Sequence, residues 1–171
     1  MTAFLIFILA FFPVENPSEE NIQKQEAMTS YYFIRHAEKE VSDPANKDPD
    51  LTDEGRSRAQ KWAEILKEVE FDLIFTTDFI RTRKTAEAVA NSQEKEVQQY
   101  DPKQLYSEEF QKKTKGKTVL VVGHSNSNPR FVNVILGEKA YEDLPESEYG
   151  SLYIVNISPD GTKSHQVHYI N

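Results

Sequence analysis

Arginine and histidine side chains follow three separate apolar stretches of the chain. Arg35 and His36 follow SYYFI, Arg81 comes shortly after FDLIF, and His124 comes shortly after TVLVV. Arginine stays charged at neutral pH, and its planar guanidinium binds two phosphate oxygens at once. Neutral imidazole is a good nucleophile near neutral pH, so one histidine could carry a phosphoryl group covalently. These residue types suit a site for a tetrahedral oxyanion, provided that the fold brings them together.

The apolar stretches alternate with amphipathic helical segments from Thr29 onwards. This alternation predicts an α/β fold, as a single three-layer domain with a mostly parallel sheet and helices on both faces. TVLVV is β-branched almost throughout and is predicted to be the central strand. Two further strands around SPDG should form a C-terminal hairpin. Ligands of such folds bind beyond the carboxyl ends of the strands, so the arginines and histidines should meet at one edge of the sheet.

The sequence predicts the first and last residues of two helices. Residues 51–69 should form a helix with Thr52 as its N-cap. Apolar residues at helical spacing should face the core: Ala59, Trp62, Ile65, Leu66 and Val69. A later helix should start at Asp101 and Pro102 and end at Gly116.

Phosphoryl transfer asks a protein mainly for in-line positioning and for charge neutralisation on the equatorial oxygens. Two arginines and a second, protonated histidine could supply both without a metal. The stretch GHSN, at Gly123–Asn126, adds backbone donors where a strand turns into a helix, so Ser125 is a further candidate phosphate ligand. His165 and His168 are three residues apart in the hairpin and should point to opposite faces, so no metal site is predicted there.

Four stretches resemble, in order, the signatures of the histidine phosphatase superfamily, phosphoglycerate-mutase-like branch: FIRHAEK, LTDEGRSRAQ, TTDFIRTRKTA and VLVVGHSN. The resemblance covers nearly all of residues 29–171 and is to a small member of that branch. It implies that His36 is the phosphorylated nucleophile, that Arg35 and Arg81 bind phosphate, and that His124 is the second histidine. It also implies that no metal or organic cofactor is needed. Ala37 stands in place of the commoner glycine, which a negative φ would allow.

The acid that protonates the leaving oxygen has several candidates in this sequence. In the family it is usually a Glu or Asp from a sizeable insertion after the third strand, and this region is short here. Such an acid contributes roughly 10²–10⁴-fold to the rate. Asp101, just past the third strand, is the first candidate, although capping the helix at Pro102 is an equally good role for it. Glu38 is the alternative, and Glu108 and Glu109 follow.

The composition excludes several other functions. The chain has 171 residues, with 20 Lys+Arg against 28 Asp+Glu and a net charge of −8. Such a chain should repel nucleic acid and anionic membrane surfaces. The absence of cysteine excludes disulfides, thiolate metal sites and a cysteine nucleophile. The expected partner is the one that the resemblance implies, a small phosphorylated substrate or a phosphoprotein.

The first residues differ from the rest. Ala3–Phe12 is an unbroken apolar run that Pro13 ends, which suits the central region of a secretory signal. No Lys or Arg precedes it and no clean cleavage site follows, so a buried strand or helix is the alternative. We predict a signal-like segment and linker over residues 1–28 and the phosphatase domain over residues 29–171. The protein would then be exported, to the periplasm or outside the cell, or tethered to a membrane, and it would otherwise be cytoplasmic.

The leading functional hypothesis is a metal-independent phosphomonoesterase that acts through a phosphohistidine. Within the same family, a phosphohistidine-protein phosphatase and a phosphomutase are alternatives. A mutase needs a more enclosed pocket, and the short connection between Ala90 and Lys117 offers little cover, which favours hydrolysis. From a different class, the chain could be a non-catalytic protein that binds phosphorylated ligands.

Overall fold

The computed structural model describes residues 27–170. The predicted signal-like segment lies almost wholly outside these residues, so export, tethering and the domain boundary at Thr29 stay predictions. Within residues 27–170, no helix has the length and apolar character needed to span a bilayer.

Six strands form one sheet in the order β3-β2-β4-β1-β5-β6. They are β1 (Thr29–Arg35), β2 (Leu73–Thr76), β3 (Val97–Gln99), β4 (Thr118–Gly123), β5 (Ser151–Ile157) and β6 (Lys163–Tyr169). The first four run parallel to one another, while β5 pairs antiparallel with β1 and with β6. The predicted mostly parallel sheet, its central strand β4 and its C-terminal hairpin are confirmed.

Four helices cover the two faces of the sheet: α1 (Asp53–Ile65), α2 (Ile80–Ser92), α3 (Glu108–Thr114) and α4 (Ser127–Leu136). Successive side chains of a strand point to opposite faces. Ile34 and Val122 therefore pack with Trp62 of α1 and Val89 of α2, in one apolar cluster. Their neighbours on β1 and β4 pack in a second cluster that includes Phe110 of α3 and Phe131 of α4. The three-layer architecture is confirmed.

Three details of the helix predictions need correction. Helix α1 ends at Ile65 rather than at residue 69. The third helix begins at Glu108 with Ser107 as its N-cap, not at Asp101 and Pro102. Asp101 instead accepts a hydrogen bond from the backbone of Lys103, which makes a turn before the helix. Ile65 is 37% exposed rather than part of the core stripe, because Ala63 takes the buried position on that turn of α1.

The first turn of α1 packs directly against the loop that follows β1. Thr52 is the N-cap, as predicted, and accepts a hydrogen bond from the backbone N–H of Gly55. A Cβ on Gly55 would lie 2.1 Å from the carbonyl oxygen of Glu38. Only glycine allows this approach, which fixes the backbone two residues beyond His36.

Candidate active site

An open pocket of about 320 Å³ lies at the carboxyl ends of β1 and β4, beside the start of α2. Five of the residues named from the sequence are brought together in its wall; the full lining is Arg35, His36, Lys39, Phe79, Arg81, His124, Ser125, Asn126 and Glu146. The parallel register of β1 with β4 pairs Arg35 with Gly123, which places His36 and His124 at the same level of the sheet edge.

The imidazole of His36 is held with one ring nitrogen free. Its Nδ1 lies 2.7 Å from the carbonyl oxygen of Ala37. Because that oxygen can only accept, Nδ1 carries the proton and the Nε2 lone pair is available to attack. The Ala37 N–H donates to Thr85 Oγ1, 3.0 Å away on α2, which anchors this loop to the helix. Ala37 is not among the residues with positive φ, so the exchange of glycine for alanine is tolerated.

Arg35 is buried, with 1% of its surface exposed, and the loop before β5 surrounds its guanidinium. Its Nη1 donates to the carbonyl oxygens of Pro145, Glu146 and Glu148 at 2.8–3.1 Å. Its Nη2 donates to the Glu146 carboxylate at 2.9 Å. The ring of Tyr149 lies 4.2 Å from the guanidinium carbon. Backbone carbonyls therefore hold this arginine in position, and a carboxylate occupies the Nη2 group.

Arg81 is less fully paired than Arg35. Its guanidinium stacks 4.3 Å from the ring centre of Phe79, and its Nη1 lies 3.6 Å from Asp48. Within residues 27–170, Nε and Nη1 have no hydrogen-bond acceptor. Burial and the neighbouring Arg35 lower the pKa of Arg81, with Asp48 acting in the opposite direction. Unmet donors on a buried cation are costly, so these groups of Arg81 add little to the stability of the fold and could donate to an anion in the pocket.

His124 faces His36 across the pocket. The two rings are 5.4 Å apart between centroids and inclined at 68°. His124 Nε2 lies 2.9 Å from the hydroxyl of Thr77, which in turn lies 3.1 Å from the hydroxyl of Thr82. This chain of hydroxyls fixes the ring, and the edge of Phe79 packs against it at 5.2 Å.

Both imidazoles are neutral at neutral pH with the charges that the protein itself supplies. Burial lowers the pKa of His36 to about 3 and that of His124 to about 4, and the two arginines act in the same direction. His36 is therefore in the form that can attack phosphorus. The protonated second histidine that we expected from the sequence would require the charge of a bound phosphate to raise the pKa of His124.

The lowered histidine pKa values predict that the protein loses stability in mild acid. In the unfolded chain both imidazoles take up a proton below about pH 6.5, while in the folded protein they do not. The free energy of unfolding should therefore be fully present above pH 6.5 and fall by up to about 1.4 kcal/mol per pH unit for each histidine, down to pH 4–3. Urea unfolding at pH 7.0 and 5.0 measures this loss.

The matched variants for that measurement are His36→Gln and, as a control, His168→Gln in the exposed hairpin. Between pH 7.0 and 5.0 the variant at His36 should lose about 2 kcal/mol less than the wild type. The same pH dependence in all three proteins would contradict the burial of a neutral His36.

The four acids named from the sequence lie outside the lining of the pocket: Asp101, Glu38, Glu108 and Glu109. Asp101 is exposed and lines a separate cavity with Tyr100, Gln104 and Phe110. Glu38 is largely buried, with its Oε1 2.6 Å from Nε of Arg58. Because none of these carboxylates lines the pocket, their roles as proton donors stay predictions.

Sequence reasoning missed several residues that the tertiary structure brings to the site. Glu146 and Tyr149 come from the loop before β5, whose only sequence signal was its many carboxylates. Phe79 packs between Arg81 and His124. Lys39 and Asn126 complete the rim; each is close in sequence to a named histidine. Among residues 27–170, no three histidine or carboxylate side chains cluster as metal ligands would.

Comparisons with known proteins agree with this architecture. The family model of the histidine phosphatase superfamily (branch 1) matches residues 31–102. A search of curated proteins gives no match. The solved structure of the protein histidine phosphatase SixA with tungstate aligns with a TM-score of 0.65 at 17% identity, over 82% of this chain and 96% of that one.

Two other solved phosphatases align similarly. A phosphoserine phosphatase from Entamoeba histolytica, bound to 3-phosphoglyceric acid, gives a TM-score of 0.63 at 17% identity, over 84% of this chain and 98% of that one. The mycobacterial glucosyl-3-phosphoglycerate phosphatase gives a TM-score of 0.59 at 12% identity, over 84% of this chain and 99% of that one. At these identities the likeness shows the shared fold.

The fold, the pocket of arginines and histidines, and the family model together define a phosphatase of the α/β class. Over residues 31–102 the chain matches the model of the histidine phosphatase superfamily, and its fold is similar to that of the small phosphatase SixA.

Proposed function

We propose that this protein is a metal-independent phosphomonoesterase that acts through a phosphohistidine on His36. The observation that carries the proposal is the state of that ring: Nδ1 is committed to Ala37, and Nε2 is free in a pocket lined by Arg35, Arg81 and His124. A neutral nucleophile beside two permanent cations is suited to attack a phosphorus atom whose oxygens the cations hold.

Each remaining group has a role that follows from its chemistry. Arg81 has unmet N–H donors for phosphate oxygens. Arg35 Nη2 can donate to a further oxygen, because Nη1 alone is enough to hold the side chain in place through three carbonyls. His124 and Ser125 lie on the opposite wall, where they can stabilise the charge that develops on the equatorial oxygens. Transfer of the phosphoryl group to water then regenerates His36.

A phosphohistidine-protein phosphatase is the second candidate function. The pocket is open and lies at the surface, and neither Asp101 nor Glu38 reaches it, so a protein side chain carrying a phosphoryl group could enter. The P–N bond of phosphohistidine depends less on a strong general acid than an ester bond does. One of the similar solved structures is of a protein histidine phosphatase.

The test is a phosphatase assay of the full chain in the presence of EDTA. The substrates should include an aryl phosphate, phosphoserine, sugar phosphates and a phosphohistidine protein. We expect release of inorganic phosphate that the chelator does not reduce, and a covalent phosphoenzyme that acid destroys and alkali preserves. A protein that binds vanadate but releases no phosphate from any substrate would instead be a non-catalytic binder. Activity that is lost in EDTA and restored by a metal would contradict the proposed mechanism.

A further inference from the structure

Among residues 27–170, Glu146 is the only carboxylate that lines the pocket. Its Oε2 accepts from Arg35 Nη2 and its Oε1 accepts from the hydroxyl of Ser125, both at 2.9 Å. Arg35 and Ser125 are two of the groups assigned above to phosphate. The carboxylate therefore lies where a phosphoryl oxygen must bind, and a substrate has to displace it.

Displacement of this carboxylate leaves the rest of the site in place. The Glu146 side chain is 74% exposed, whereas that of Arg35 is 1% exposed. Arg35 is held through Nη1 by three backbone carbonyls of the same loop, so it does not depend on the carboxylate for its position. An exposed side chain can turn away at little cost, and it then frees Nη2 and the Ser125 hydroxyl for the phosphoryl group.

The displaced carboxylate stays on the side of the leaving group. His36 is 2% exposed and forms the floor of the pocket. In-line attack from the floor drives the leaving oxygen in the opposite direction, towards the open mouth. The Glu146 carboxylate also lines the pocket and is 74% exposed, which places it at the mouth rather than at the floor. We propose that Glu146, once displaced from Arg35 by the phosphoryl group, is the catalytic residue that donates the proton to the leaving oxygen.

The charges around Glu146 suit both positions of its side chain, the one bound to Arg35 and the displaced one. The hydrogen bond from Ser125 and the charge of Arg35 lower the pKa of Glu146, so it is ionised when it occupies the anion position. When both partners pass to the phosphoryl group, these causes are removed and a dianion lies beside the carboxyl, which favours its protonated form.

The proton balance is complete without any further reactant. A monoester that arrives as the monoanion passes its proton to Glu146. As the bond from His36 Nε2 to phosphorus forms and the ester P–O bond breaks, the carboxyl protonates the leaving oxygen, which departs as the alcohol. In the second step the Glu146 carboxylate accepts a proton from the attacking water, the N–P bond breaks, and that proton leaves with inorganic phosphate. The Nδ1 proton of His36 stays in place throughout.

The inference rests on the proposed phosphatase function, and the test separates the two. The variant is Glu146→Gln, which keeps the shape and loses the proton. The matched control is Glu142→Gln, which removes an exposed carboxylate paired with Lys139 outside the pocket. For each protein, kcat/KM is measured on an alkyl phosphate, whose leaving group needs protonation, and on p-nitrophenyl phosphate, whose leaving group does not.

We expect Glu146→Gln to lose about 10²-fold or more in kcat/KM on the alkyl phosphate and less than about fivefold on p-nitrophenyl phosphate. Inorganic vanadate should inhibit this variant more strongly than the wild type, because no carboxylate competes for Arg35. Equal losses on both substrates, or no loss on either, would overturn the assignment of the acid, and weaker vanadate inhibition would overturn the displacement. If the wild type hydrolyses neither substrate, the proposed phosphatase function itself fails.

Discussion

Replacement of His36 by alanine is expected to reduce phosphate release by roughly 10⁴-fold or more, to the background of the assay. The variant removes the proposed nucleophile, the Nε2 of a ring whose Nδ1 is bonded to Ala37. His124 does not replace it, because its own Nε2 is hydrogen-bonded to Thr77. The measurements are steady-state release of phosphate and the amount of alkali-stable phosphoenzyme after an acid-free quench.

His165→Ala is the control for this experiment, because this exposed histidine lies in β6 and contacts Tyr141 rather than the pocket. It should keep wild-type turnover and wild-type phosphoenzyme. The pocket of the His36 variant can be checked with vanadate, which both arginines should still bind. Turnover that survives in the His36 variant, or phosphoenzyme that persists in it, would show that another residue is the nucleophile.

Replacement of Arg81 by methionine is expected to lower kcat/KM by about 10²–10³-fold, since preorganised donors to a developing anion contribute that much in other active sites. The same change should leave the free energy of unfolding unchanged or raise it. Arg81 has two unmet donors and a distant ion pair, so the fold gains little from its charge. Replacing a buried charge with an apolar side chain of similar length is often neutral or stabilising. Kinetics and urea unfolding on the same samples test both parts.

Arg83→Met is the matched control on the same helix. Arg83 pairs with Asp78 at the surface, outside the pocket lining, so neither activity nor stability should change much. If the variant at Arg81 lost stability and activity together, a structural role for Arg81 would explain the result, and its assignment as a phosphate ligand would be contradicted.

The path of the chain was largely predictable from local patterns. TVLVV indicated a buried central strand because its residues are apolar and β-branched, and β4 occupies that position between β1 and β2. Thr52 indicated the start of α1 because its hydroxyl can satisfy a backbone donor there. The error at α3 has an equally local cause. Asp101 and Pro102 are compatible with a turn as well as with a helix start, and the capping contact at Ser107 decides between them.

The residues at strand ends could be named from the sequence because a parallel sheet places the ends of its strands at one edge, whatever the side chains are. Arg35, His36, Arg81 and His124 line one pocket for that reason. Side-chain contacts across the pocket follow no such rule. Asp101 also follows a strand, yet the turn after β3 directs it into a different cavity. Glu38 is close to His36 in sequence, yet Arg58 binds its carboxylate.

The sequence by itself determined which groups are available for phosphoryl chemistry and the edge of the sheet where they meet, since strand pattern and strand direction are local properties of the chain. Only the tertiary structure decided which carboxylate lies beside Arg35 in the pocket. Glu146 is 111 residues from Arg35 along the chain, and the contact between them depends on the path of the loop before β5. No periodicity or spacing encodes that path, because the packing of Tyr149 on Arg35 and the three carbonyl contacts to Arg35 hold it in place.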